Sequence, residues 1–134
     1  MTTAPIASID LPVRVRYVEC DPMGVVHHTV YPVWFEMART ELLRSKGGSY
    51  RAMEEAGLLL AVVRLEARYR APARYDDLVT VRCDLLSSGP VKIEHRYQVI
   101  RDGALLVEGG TTLACIDRNG RLQAVPSDLA WTSR

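Results

Sequence analysis

Val13, Val15 and Tyr17 alternate with Arg14, Arg16 and Val18, the period-two pattern of a half-buried strand. Asp21 to Thr29 follows with Pro22 and Gly24 and no clear period, which marks a loop. From Pro32 to about Lys46 the period changes: Trp34, Phe35, Met37, Ala38 and Leu42, widened by Val33 and Leu43, fall at helical spacing. The opposite side carries Glu36 with Arg39 and Glu41 with Arg44, each three residues apart, and Gly47-Gly48 ends the helix. Ser49 as N-cap and Gly57 as terminator bracket a short second helix.

Beyond Gly57 every segment alternates. Val63, Leu65, Ala67 and Tyr69 oppose Arg64, Glu66, Arg68 and Arg70, and Val79, Val81, Cys83 and Leu85 oppose Thr80, Arg82 and Asp84. Val91, Ile93, His95, Tyr97 and Val99 form a third set, bounded by Ser87-Ser88-Gly89-Pro90 and by Asp102-Gly103, a strong two-residue hairpin signal. The last strand runs from Ala104 to Asp117 with Gly109-Gly110 as an expected bulge, and Asn119-Gly120 turns the chain again. One strand, one long helix and four further antiparallel strands predict an α+β fold in which a five- or six-stranded sheet curls around the helix. No repeat or linker divides the 134 residues, so a single domain with its core at about 12–126 is expected, loosely held over the first ten and last eight or so residues.

Composition narrows the function more than the fold. Seventeen basic against sixteen acidic residues leave a net charge of +1, which gives no strong field for nucleic acid or an anionic membrane. The longest apolar run, Leu58 to Val63, is far short of the roughly 20 residues that span a bilayer. Met1 to Pro12 lacks the basic start and apolar stretch of a secretory signal, and Cys20, Cys83 and Cys115 form no C-x-x-C pair. A cytoplasmic protein with reduced thiols is expected, Cys83 and Cys115 serving as small core residues.

Reactive groups concentrate where strand one meets the helix: Tyr17, Glu19, Cys20, Asp21, His27, His28 and Tyr31. Asp21 precedes a helix N-terminus, where unpaired N–H groups and the positive end of the dipole await an oxygen. A carboxylate beside such donors suits acyl transfer, because the donors hold the developing oxyanion while the carboxylate attacks or activates water. His28 and Tyr17 are placed to orient it. Against this stand plainer roles: an Asp ahead of a helix is often a cap or turn residue. Cys20, Asp21 and the adjacent histidines lack zinc-site spacing, so no metal is assigned. His95 reads as a satisfied core or interface histidine, and Trp34, Phe35 and Met37 as core packing.

The stretch from Val13 to Tyr31, VRVRYVECDPMGVVHHTVY, followed by Trp34-Phe35-Glu36-Met37-Ala38-Arg39-Thr40-Glu41, resembles hot-dog-fold acyl-CoA thioesterases of the 4-hydroxybenzoyl-CoA thioesterase family, above all the Tol-Pal-associated branch. Tyr69-Arg70-Ala71-Pro72-Ala73-Arg74-Tyr75-Asp76-Asp77 matches the family's second signature. The resemblance implies a curved antiparallel sheet around one long central helix, a homo-oligomer (dimer or dimer of dimers) with sites at subunit interfaces, and an acyl-CoA substrate hydrolysed without cofactor. It carries Asp21 onto the catalytic carboxylate, as base or nucleophile, and the backbone N–H of His28 onto the oxyanion donor. Tyr17, Asp21 and His28 meet the branch's Tyr-Asp-His spacing, and Tyr31 and Glu36 match recurrent positions read as substrate contacts. Val62 and Val63, within Leu60 to Val63, are the candidates for the acyl wall.

Three residues depart from the family pattern: Cys20 for Thr, His27 for Tyr and Pro32 for an aliphatic residue. Pro32 disfavours helical angles at Tyr31, so the helix is expected to open near Pro32 after a separate turn. A non-catalytic acyl-CoA or partner-binding module is the second reading. A hot-dog dehydratase ranks below both, because the catalytic place holds Asp where that chemistry uses His.

Overall fold

The computed structural model describes residues 4–126. The elements run β1 (Ala7–Arg14), a 3-10 turn (Tyr17–Glu19), α1 (Val30–Ser45), α2 (Tyr50–Glu55), β2 (Leu59–Tyr69), β3 (Leu78–Ser88), β4 (Lys92–Arg101) and β5 (Ala104–Ile116). The five strands form one antiparallel sheet in the order β1-β3-β4-β5-β2, and α1 packs on β1 and β3. This is the expected α+β arrangement, the hot-dog fold. Trp34, Phe35, Ala38 and Leu42 of α1 meet the inward residues Val79, Val81, Tyr97, Val99, Val107 and Leu113, all essentially excluded from solvent. Phe35 stacks on Tyr97 at 4.4 Å between ring centroids.

Local signals are realised where a turn or cap requires a particular residue. Asp102 and Gly103 have φ of 51° and 80°, the left-handed pair of a tight hairpin. Ser49 caps α2, its hydroxyl accepting the Ala52 N–H at 3.2 Å. Cys83 and Cys115 are buried, and burial pushes the Cys83 thiol up to about 12.

The structure corrects six of these expectations. The first strand lies earlier than Val13 to Val18, because β3 is long enough to pair with it from Ala7↔Leu85 to Arg14↔Leu78. Residues 7–10 are therefore sheet rather than a loose end, while the last eight residues lie outside the described residues. Pro12 is accommodated because β1 is an edge strand. Tyr17, expected to point inward, sits on the 3-10 turn with 80% of its surface exposed.

Helix α1 opens at Val30, not near Pro32. Pro32 occupies its first turn, where N–H groups have no helical acceptor, and burial of Tyr31 against Trp34 overrides the preference of a residue before proline. Arg44 pairs with Glu41 as expected, but Arg39 turns into the core, donating from Nη1 to the Tyr97 hydroxyl at 3.2 Å instead of pairing with Glu36. Gly109-Gly110 is no bulge, since the register runs unbroken through both. Gly109 serves close approach: a Cβ there would stand 2.5 Å from the Glu66 carbonyl oxygen and 2.8 Å from the Phe35 ring. The irregularity lies instead in β2, between Val62 and Arg64.

Candidate active site

The segment between β1 and α1 is shaped by its own backbone. The Asp21 N–H donates to the Val25 carbonyl at 2.8 Å and the Gly24 N–H to the Asp21 carbonyl at 2.9 Å, with Gly24 at φ +80° closing the turn. Asp21 Oδ1 accepts the Met23 N–H at 2.8 Å and the Val25 N–H at 3.5 Å, a carboxylate-capped turn. Oδ2 has no hydrogen-bond partner among the described residues. The half-buried Asp21 thus holds its loop with one oxygen and offers the other outward.

Two outside contacts fasten the loop. Val26 N–H donates to the Ala73 carbonyl and His27 N–H to the Glu19 carbonyl, each at 2.9 Å. Glu19 is 6% exposed; its carboxylate accepts the Arg16 N–H at 2.7 Å, the Trp34 indole N–H at 2.9 Å and an Arg16 guanidinium N–H at 3.4 Å. Burial raises the Glu19 carboxyl, but these donors outweigh it and hold the group below the usual carboxylate range.

At the mouth of α1 three of four consecutive amides are used. His27 N–H is bound by Glu19, Thr29 N–H donates to His27 Nδ1 at 3.2 Å, and Val30 N–H donates to the His27 carbonyl at 3.0 Å. The His28 N–H has no partner among the described residues. Its free N–H, at the positive end of a 16-residue helix and in the same segment as Asp21, is chemically suited to receive a developing negative charge.

The other predicted residues scatter. The Tyr17 ring packs edge-on against Tyr75 at 5.5 Å and its hydroxyl makes no bond to Asp21. The rings of His28 and His27 stack at 4.3 Å. Tyr31 is 2% exposed, its hydroxyl accepting the Ala73 N–H at 3.3 Å, and burial raises its phenol. In this chain it anchors the loop after β2. Glu36 stands two turns further along α1, on an open cavity of ≈ 220 Å³ shared with Arg39, Tyr50, Leu58 and Leu60. Val62 and Val63 lie half-exposed on the free edge of the sheet. His95 is not satisfied as expected: it is 7% exposed, its Nδ1 has no partner among the described residues, and it lines a small cavity of ≈ 20 Å³ with Arg39. Among the described residues no group of three His, Cys, Asp or Glu side chains is placed to hold a metal ion, and no helix is long and apolar enough to cross a membrane.

Two residues stood outside the predicted site. Glu19 carried a clear signal, lying inside the reactive cluster, but its bond to Trp34, 15 residues away, is a tertiary event. Tyr69, read as a strand position in the second signature, reaches across to donate from its hydroxyl to the His28 carbonyl at 2.9 Å.

Comparison with known proteins agrees with this architecture. The crystal structure of a hypothetical protein from Thermus thermophilus superimposes with a TM-score of 0.85 at 39% identity, over 92% of each chain. The acyl-CoA thioester hydrolase YbgC of Escherichia coli O157:H7 is 32% identical over 107 residues, 79% of this chain and 80% of its own. A DHNA-CoA thioesterase from Staphylococcus aureus gives a TM-score of 0.84 at 28% identity, over 87% of this chain and 80% of the other. The family described as the thioesterase-like superfamily matches residues 15–131, which takes in the Asp21 loop, α1 and the whole sheet from β2 onward, and the chain belongs to that superfamily.

Proposed function

We propose that this protein is an acyl-CoA thioesterase, hydrolysing the thioester to free acid and CoA. The observation that carries the proposal is the unpartnered His28 N–H at the N-terminus of α1, in the loop that presents the free Oδ2 of Asp21. Asp21 acts on the thioester carbonyl, as base on a water or as nucleophile, and the His28 N–H takes the charge that develops on the carbonyl oxygen. The similarity to the acyl-CoA thioester hydrolase YbgC supports the substrate class, and the Tyr17, Asp21 and His28 spacing is our ground for the Tol-Pal-associated branch. We place the protein in the cytoplasm and assign the reaction no cofactor.

The working unit in this reading is a homodimer, alone or paired into a tetramer. β2 is a free edge on which Val62, Val63, Leu65 and Tyr69 are each about half exposed, and it contains no proline, whereas the opposite edge strand β1 carries Pro12, which has no N–H to donate. Pairing of β2 with a second copy extends the sheet and brings one protomer's Val62, Val63 and Glu36 toward the other's loop, where they line the acyl pocket.

A binding module that keeps the fold without turnover is the second reading, and one observation favours it: Asp21 Oδ1 already has a structural task. The substitution Asp21→Asn separates the two, because an amide oxygen retains the turn while the carboxylate is lost. CoA release is measured from short, long and aromatic acyl-CoAs. A fall of roughly 10²–10⁴-fold on a preferred substrate is expected for the variant. No turnover in either protein selects the binding module, and equal turnover in both removes Asp21 from the chemistry. Single turnover in ¹⁸O-water then separates the roles of Asp21: label in the carboxylate marks a nucleophile, and label only in the acid product marks a base.

A further inference from the structure

The His28 N–H is useful only if it stays aimed at one place, and the structure shows what aims it. Peptide units are planar and trans, so the carbonyl and the N–H of the His27–His28 peptide point in opposite directions. The carbonyl is fixed on the Val30 N–H at 3.0 Å. The next peptide, His28–Thr29, is held at both ends: the Thr29 N–H donates to His27 Nδ1, and the His28 carbonyl accepts the Tyr69 hydroxyl at 2.9 Å. The first two of these contacts come from the loop and helix themselves. Tyr69 comes from the last position of β2, 41 residues away, and is the single tertiary contact on the His28 carbonyl among the described residues. Its ring is braced edge-on against Tyr31 at 5.6 Å, and Tyr31 in turn packs against Trp34 at 5.1 Å and accepts the Ala73 N–H. An aromatic train therefore runs from the buried Trp34 and Tyr31 to the half-exposed Tyr69, whose hydroxyl holds His28.

We propose that Tyr69 is a positioning residue for hydrolysis: by donating to the His28 carbonyl it keeps the His28 N–H in line with the thioester oxygen as charge develops there. Tyr69 does not itself touch the reacting atoms in this scheme. The proposal rests on the thioesterase reading and adds to it the residue that holds the oxyanion donor. It also ties the donor to the sheet edge, because Tyr69 belongs to the strand whose other residues face a second copy. Loss of a whole oxyanion donor costs about 10²–10³ in kcat, and a donor that is present but less well aimed costs less.

The test uses Tyr69→Phe, which removes only the hydroxyl and keeps the ring against Tyr31. On an acyl-CoA that the wild type hydrolyses, kcat is expected to fall about tenfold with KM within about twofold, because the contact acts in the transition state rather than in substrate binding. An unchanged kcat overturns the proposal, as does a parallel rise in KM that accounts for the whole loss. The second readout needs no turnover: the isotope-edited infrared stretch of a ¹³C-carbonyl acyl-CoA bound to Asp21→Asn and to the double variant Asp21→Asn/Tyr69→Phe. The stretch is expected to lie lower in the single variant, where the donor polarises the carbonyl, and to move back up in the double variant. Equal frequencies overturn the proposal even if the enzyme is active. Failure of the thioesterase reading is visible separately, as no turnover of any acyl-CoA by the wild type.

Discussion

The Glu19 carboxylate accepts the indole N–H of Trp34 at 2.9 Å across the boundary between the Asp21 loop and the first helix, with Glu19 6% exposed and Trp34 fully buried. The same carboxylate closes the 3-10 turn through the Arg16 N–H, and the Glu19 carbonyl holds the His27 N–H. One residue thus fastens both ends of the segment that presents Asp21 to the helix core.

Replacing Glu19 by Gln leaves an acceptor for Trp34 but removes the charge, and is expected to cost about 1–3 kcal/mol at neutral pH. The native carboxyl is held below its ordinary 4.5, so its contribution is full above that value and disappears as pH falls through the lowered native value. Denaturant titrations of both proteins at pH 7 and near pH 3 are expected to show a gap that closes in acid. A gap that stays constant contradicts a role for the charge.

His95 titrates in the same direction for a different reason. Burial, then the charge of Arg39, brings it down from 6.5 to about 3, so the native state keeps it neutral while the unfolded chain takes up a proton. Its contribution is complete above pH 6.5 and is lost between 6.5 and about 3, at up to about 1.4 kcal/mol per pH unit. The stability of His95→Phe is expected to depend less steeply on pH than that of the wild type over this window. Parallel pH curves exclude the effect.

Gly109 faces the Phe35 ring with no room for a methyl group. Gly109→Ala must push against the Glu66 carbonyl as well as the ring, and the backbone cannot yield as a side-chain tip would. A loss of about 1–3 kcal/mol is expected by thermal or denaturant melting, with Gly110→Ala, whose nearest contact is 3.3 Å, costing clearly less.

The free edge of β2 predicts an assembly defect. Leu65→Lys places a charge among the exposed apolar residues of that edge while leaving the β2–β5 pairing in place. Sedimentation velocity is expected to show the wild type as a dimer or larger and the variant shifted toward monomer, with thioester turnover falling in parallel. An unchanged sedimentation profile removes β2 as the subunit contact.

Elements whose cause is local were legible in the chain. Ser49 caps α2 and Asp102-Gly103 turns β4 into β5 because a hydroxyl acceptor and two positive φ values are properties of those residues wherever they stand. The apolar face of α1 and the inward rows of β3 and β4 were readable for the same reason, since period alone assigns sides. The clustering of Asp21 and His28 was readable too, because both lie in one loop. What only the tertiary structure decided is everything that depends on a distant partner. β3 determined that β1 begins at Ala7 and that Tyr17 ends up outside. The core took Arg39 from Glu36 and gave it to Tyr97, and the Phe35 ring turned an expected bulge at Gly109 into a close contact. Tyr69 reached His28 across 41 residues of chain. Hydrophobic periodicity fixes which side of an element is buried but not which polar group lies opposite, and a hydrogen bond between strand and loop exists only after the sheet has closed around the helix.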